Sequence, residues 1–78
     1  MTRERAVSYL RAVIAQCEAS AATHDLSVLT IQAAIAEASE DDVAMYLLEI
    51  QHKQAHASVS RDTARKCRAL LTEWGGLR

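Results

Sequence analysis

The sequence predicts an all-α protein, one domain over residues 1–78, folded as a three- or four-helix antiparallel bundle and completed by homodimerisation. Three observations carry that prediction. Fifteen of the 78 residues are alanine, proline is absent, and the only two glycines are adjacent, Gly75 and Gly76. Alanine loses no side-chain entropy on entering a helix, and proline is the residue that most reliably breaks one. Apolar residues recur in steps of three and four along most of the chain, which lines one side of a 3.6-residue helix. The chain is also short. A domain of this size buries only roughly 60–65% of the surface its unfolded form exposes, and one such core supplies at most about 3–5 kcal/mol. A disulfide, a metal or a second copy is the usual supplement. Cys17 and Cys67 sit inside apolar helical patterns, where a free thiol acts as a small hydrophobe. A second copy is therefore the favoured supplement.

Thr2 caps a first helix that runs to about Thr23, with Ala6, Val7, Leu10, Val13, Ile14, Cys17 and Ala21 as its buried stripe. Thr23, Asp25 and Ser27 then interrupt the pattern, each able to accept a hydrogen bond from the free N–H groups of a helix start. A second helix follows over about Leu26 to Ala38. Leu29, Ala33 and Ala36 fall on one line of it, Val28, Ile31 and Ile35 on another. So wide an apolar surface predicts a helix that contacts both its own chain and a partner.

Ser39 caps the third helix, and Glu40, Asp41 and Asp42 complement the positive end of its dipole. Its buried stripe is Val43, Tyr46, Leu47, Ile50 and Ala57. A cap at Ser60, with Val59 and Ala64 as a hydrophobic staple, opens a fourth helix lined by Ala64, Cys67, Leu70, Leu71 and Trp74. Serine breaks helices weakly, so a single rod from Asp41 to Trp74 is the alternative. Gly75-Gly76 supplies a C-terminal stop onto which Leu77 folds back. Trp74-Gly75-Gly76 also spells the W-x-G string that sits at the bend of certain small secreted helical hairpins. Its place after the last helical turn favours a helix stop with a packed tryptophan.

Charge is sorted along the chain. Residues 1–11 carry +2, residues 12–52 carry −7 with no lysine or arginine, and residues 53–78 carry +4. The acidic start of the third helix (Glu37, Glu40, Asp41, Asp42) and the basic row of the fourth (Arg61, Arg65, Lys66, Arg68) are the candidate partner-binding surfaces. The blander reading is a set of solvated faces and salt bridges that keep a small domain soluble.

Other chemistries fit less well. A helix-turn-helix reading of Ala33–Val43 would lead into a DNA groove with Glu40, Asp41 and Asp42, against a polyanion. Arg61, Arg65 and Arg68, at steps of four and three with Lys66 beside them, form a better phosphate row. They lack interleaved aromatics and belong to a slightly acidic protein of pI about 6.3. Glu49, His52 and His56 stand at i, i+3 and i+7, a spacing found in helical iron and zinc sites. A complete site would need carboxylates from facing helices, with Glu18 the one evident candidate, and it predicts stoichiometric metal after purification.

No nucleophile stands at defined spacing from a base, and there is no glycine-rich phosphate loop. No N-terminal signal pattern and no apolar run near the ~18 residues of a membrane span is present. The expectation is a cytoplasmic, non-enzymatic protein–protein interaction module without cofactor: an adaptor, inhibitor or regulatory subunit. Its partner is another protein as well as a second copy of itself. A nucleic-acid-associated regulator is the alternative, and a small metalloprotein the second alternative. The alanine-rich, lysine-poor composition is of a bacterial or phage kind.

Overall fold

A computed structural model describes residues 2–74, which form two long helices, α1 (Arg3–Ile35) and α2 (Glu40–Glu73), joined by a four-residue turn. All-α holds. The helix count is corrected, from three or four to two among the described residues. The molecule is a rod of 55 × 19 × 13 Å, the length that helices of 33 and 34 residues reach at about 1.5 Å per residue.

Two of the predicted N-caps, Thr2 and Ser39, are present, and the caps expected at Thr23–Ser27 and at Ser60 fall inside continuous helices. Thr2 Oγ1 accepts from the Arg5 N–H at 3.2 Å, and Ser39 Oγ accepts from the Asp42 N–H at 3.4 Å. Between them the chain turns without glycine. Short i→i+3 bonds from the N–H groups of Glu37 to Ala34 O and of Ala38 to Ile35 O, both 3.2 Å, tighten the exit of α1.

The predicted break at Thr23–Ser27 does not occur, because the polar side chains there bond backwards along a continuous helix. Thr23 Oγ1 donates to Ala19 O (3.0 Å), His24 Nδ1 meets Ser20 O (2.7 Å) and Thr30 Oγ1 donates to Leu26 O (3.1 Å). A hydroxyl satisfied by the i−4 carbonyl has no need of a helix terminus. The predicted break at Ser58–Ser60 is likewise absent, as the single-rod alternative holds. Continuity there keeps Ala57 and Ala64, each 1% exposed, on the buried side. Gly75, Gly76 and Leu77, the expected C-terminal stop, lie outside the described residues. The bend between the helices falls at residues 36–39, and Trp74 follows the end of α2.

Two cross-helix ion pairs, Arg68–Glu18 and Arg61–Asp25, define how the rods pack. The partners step back seven residues on α2 as they step forward seven on α1. That is an antiparallel two-stranded coiled coil, with its flanking charges paired. Its seam on α1 runs Val7, Leu10, Ile14, Cys17, Ala21, His24, Val28, Ile31, Ile35, in alternating steps of three and four. On α2 it runs Val43, Tyr46, Ile50, Lys53, Ala57, Ser60, Ala64, Cys67, Leu71 and Trp74. Leu10, Cys67 and Leu71 form the buried core near the chain ends, with Val7, Val13 and Ile14 packed against it. The waist of the seam is small or polar (Ala21 and His24 on α1, Ser60 and Ala64 on α2), which lets the helices approach closely but buries little hydrocarbon. Both cysteines are free thiols.

Side-by-side packing also excludes the helix-turn-helix reading of Ala33–Val43, whose helices cross at steep angles. Among the described residues no helix is long and apolar enough to cross a membrane.

Candidate interaction surfaces

Glu37 lies in the turn, and Glu40, Asp41 and Asp42 form the first turn of α2; all four are exposed. Among the described residues none of the four forms an ion pair. They are an acidic rim at the turn end of the rod, held there by the Ser39 cap.

The basic row sits about 30 Å away along α2, so the two predicted charge surfaces do not meet. Its four cations are each engaged. Arg61 and Arg68 reach across to Asp25 and Glu18 of α1, while Arg65 and Lys66 share Asp62 within α2, Lys66 Nζ lying 3.0 Å from Asp62 Oδ2. Hydrogen bonds from Arg65 and then Lys66 hold the Asp62 carboxyl below the ordinary aspartate range, against a small opposing effect of desolvation. The salt-bridge reading of these bases is thereby the one the geometry meets. Glu18, offered at the sequence level as a metal ligand, is a partner of Arg68 instead.

The chain's three histidines gather at the waist. His52 Nε2 and His56 Nε2 stand 3.0 Å apart, and His24 stacks on His56 with ring centroids 5.5 Å apart and planes 14° from parallel. The His24 Nδ1 faces a carbonyl and so carries the proton in that contact. The sequence pairing of Glu49 with His52 and His56 is replaced by a histidine set that includes α1. Among the described residues no three histidine, cysteine or carboxylate groups converge as a metal would require. His24 was findable, since it stands three residues from Ala21 and four from Val28, squarely in the seam.

Among the described residues, two groups of exposed apolar side chains line up on helix faces. The outer face of α1 carries a second seven-residue pattern that starts at Ala12 and Ala15, continues through Ala19 and Ala22 to Leu26 and Leu29, and ends at Ala33 and Ala36. Every one of these positions is exposed, Leu26 at 65% and Leu29 at 62%. The row contains no polar residue and spans about 36 Å. Only its last part, Leu29, Ala33 and Ala36, is visible when a helix boundary is drawn at Thr23. At the turn end of α2, Ala44, Met45 and Leu48 share an outward face with Asp41, and Leu47 is exposed beside them. The hollows on the surface are open grooves along the helices, such as the one between Leu26, Thr30, Ile31 and Lys53.

No protein-family description, no curated protein and no solved structure matches the chain.

Proposed function

We propose that this protein is a non-enzymatic interaction module that works through helix faces, as an adaptor, inhibitor or regulatory subunit. The observation that supports this reading is how much surface a two-helix hairpin leaves uncovered, a surface that includes Leu26 (65%), Leu29 (62%), Met45 (55%), Leu47 (50%) and Leu48 (68%). A folded chain of 8.6 kDa normally exposes about 4,700 Å², whereas this one exposes 5808 Å². The excess, about 1,100 Å², is comparable with the ~800 Å² that each partner contributes to a standard protein interface. Self-association belongs to this reading, as does a different protein at the turn end. There, exposed Met45 and Leu48 lie beside the acidic rim of Glu37, Glu40, Asp41 and Asp42. A polarisable methionine, a leucine and a cluster of carboxylates suit a partner whose docking surface is apolar and basic.

The rival reading, a nucleic-acid-associated regulator, requires Arg61, Arg65, Lys66 and Arg68 to exchange their present carboxylate partners for phosphates. A tagged pull-down from the native host at moderate salt separates the two. A stoichiometric protein that survives nuclease treatment, and is lost from the Met45→Asp/Leu48→Asp variant, is the expected result. Recovery of nucleic acid alone, abolished by Arg65→Glu/Arg68→Glu, would replace the module reading by its rival.

A further inference from the structure

We infer that the Ala/Leu row on the outer face of α1 is a docking surface for a second copy of this chain, which lies antiparallel to the first about a two-fold axis near residue 24. The inference rests on the interaction-module reading and names one of its partners. An uncovered apolar row alone would fit many occupants. Three features select this one.

The first is self-complementarity. In an antiparallel pair of helices, the two positions of a seven-residue seam alternate across the interface. Applied to this row about residue 24, the rule sets Leu26 opposite the partner's Ala22, and Leu29 opposite the partner's Ala19. Each leucine meets an alanine, and the remaining layers are alanine on alanine. Large against small is the arrangement that interdigitates at constant helix separation. A parallel pair would set leucine on leucine and alanine on alanine, wide at the two leucine layers and narrow at the alanine layers on either side.

The second is charge. The row itself is uncharged, and Gln16, Thr23 and Thr30 flank it on one side. On the other side the axis brings the two Asp25 side chains near each other, and each already holds Arg61 of its own chain. The axis is therefore neutral where an unpaired aspartate would repel its copy. The Arg61–Asp25 bridge is a condition for the dimer as well as a link within the hairpin.

The third is shape. As a rod of 55 × 19 × 13 Å the hairpin exposes about 1,100 Å² more in total than a globular chain of its mass, and a second rod laid along α1 brings the assembly closer to a globular shape. The resulting four helices form a slab, with both α1 helices at the centre and the α2 helices outside. The acidic rims and the Met45–Leu48 patches stay uncovered at its ends.

Sedimentation equilibrium of the full chain between 1 and 200 μM tests the surface. The expected result is a monomer–dimer equilibrium that Leu26→Asp weakens by about 100-fold or more, since a carboxylate would be buried against methyl groups. Val59→Asp, an equally exposed apolar site on α2, leaves it unchanged. Orientation is read by disulfide trapping in a Cys17→Ser/Cys67→Ala background. Chains carrying Ala22→Cys and Leu26→Cys should cross-link to each other and not to themselves.

A chain that is monomeric at 200 μM, or a dimer indifferent to Leu26→Asp, overturns the inference, and Ala22→Cys chains that link to themselves overturn its orientation. Should Leu26→Asp also lose its helical circular dichroism, Ala19→Gln, which overfills one layer without charge, replaces it. A monomer that still captures its protein partner overturns self-docking alone. A dimer that captures nothing upholds it and removes the heterologous half of the module reading.

Discussion

Truncating Leu71 to alanine should lower the melting temperature by about 15 °C. Leu71 is the one large side chain that the hairpin buries completely, at 1% exposure, and it packs with Leu10 and Cys67. Leucine-to-alanine changes in cores cost about 2–5 kcal/mol, the higher values belonging to sites that cannot collapse. This site can relax, because Val7, Val13 and Ile14 around it are only partly buried. About 2.5 kcal/mol is therefore the expected loss. A 78-residue chain unfolds with an entropy of about 0.16 kcal/mol/K, which converts that loss to the stated shift.

The matched control is Leu70→Ala. It is the same chemical change one residue earlier in the same helix, at a side chain that is 40% exposed, and it should cost under about 1 kcal/mol. Circular dichroism melts of the two variants and the parent, all at one protein concentration, make the comparison, since association makes melting concentration-dependent. Shifts for Leu71→Ala and Leu70→Ala that agree within a few degrees would refute the register of α2 against α1, and with it the seam as drawn.

Two further predictions follow from the waist and from the basic row. Ala57→Leu should destabilise by about 1–3 kcal/mol through overpacking and separate the stacked His24 and His56 rings, visible as a change in their NMR shifts. Ala55→Leu, on the exposed side of the same helix, should be near neutral. Asp62 is held below its ordinary pKa of 3.8 by Arg65 and Lys66, so its ion pairs stabilise the fold fully above that value. Their contribution disappears as pH falls through the lower folded-state pKa. The melting difference between the parent and Asp62→Asn should be constant from pH 7 to about 5 and shrink once pH falls below 3.8; a gap that does not shrink at all on further acidification refutes the assignment.

Helix class, the N-caps at Thr2 and Ser39 and most of the buried stripe were legible in the sequence because they depend on local chemistry. Thr2 and Ser39 accept from their own first turns, and alanine and leucine need no distant partner to favour a helix. The two misplaced boundaries share a cause. Thr23, Asp25, Ser27, Ser58 and Ser60 are residues whose side chains can either start a helix or decorate one, and the choice belongs to tertiary packing. At Thr23–Ser27 the seam through Ala21, His24 and Val28 must stay in phase to meet α2, and Asp25 is taken by Arg61.

The candidate surfaces divide in the same way. The acidic rim was readable because a capped helix start is local. The engagement of the basic row with Glu18 and Asp25 was not, since it depends on pairing at 36 and 50 residues' separation. The histidine cluster was half visible, as His52 and His56 share a helix while His24 comes from the other rod.

The distribution of side chains between the two faces of α1 links folding of the hairpin to its association. The inner seam must hold α2, yet at its waist it offers Ala21 and His24 to Ala64 and Ser60, so its close approach there brings little apolar burial. The outer row is the more uniformly apolar of the two, although it carries only two large side chains, Leu26 and Leu29. A lone chain thus keeps the seam with more large aliphatic residues inside and a row free of polar groups in water, with a thin margin of stability. On the proposed docking, covering the outer row would also stiffen α1 up to its end at Ile35, the span that must remain one continuous helix for the inner seam to stay in register. Dimer formation and hairpin formation would then reinforce each other, with the Arg61–Asp25 bridge locking α2 to α1 and neutralising the proposed axis. That bridge is the point at which a change at one interface is felt at the other.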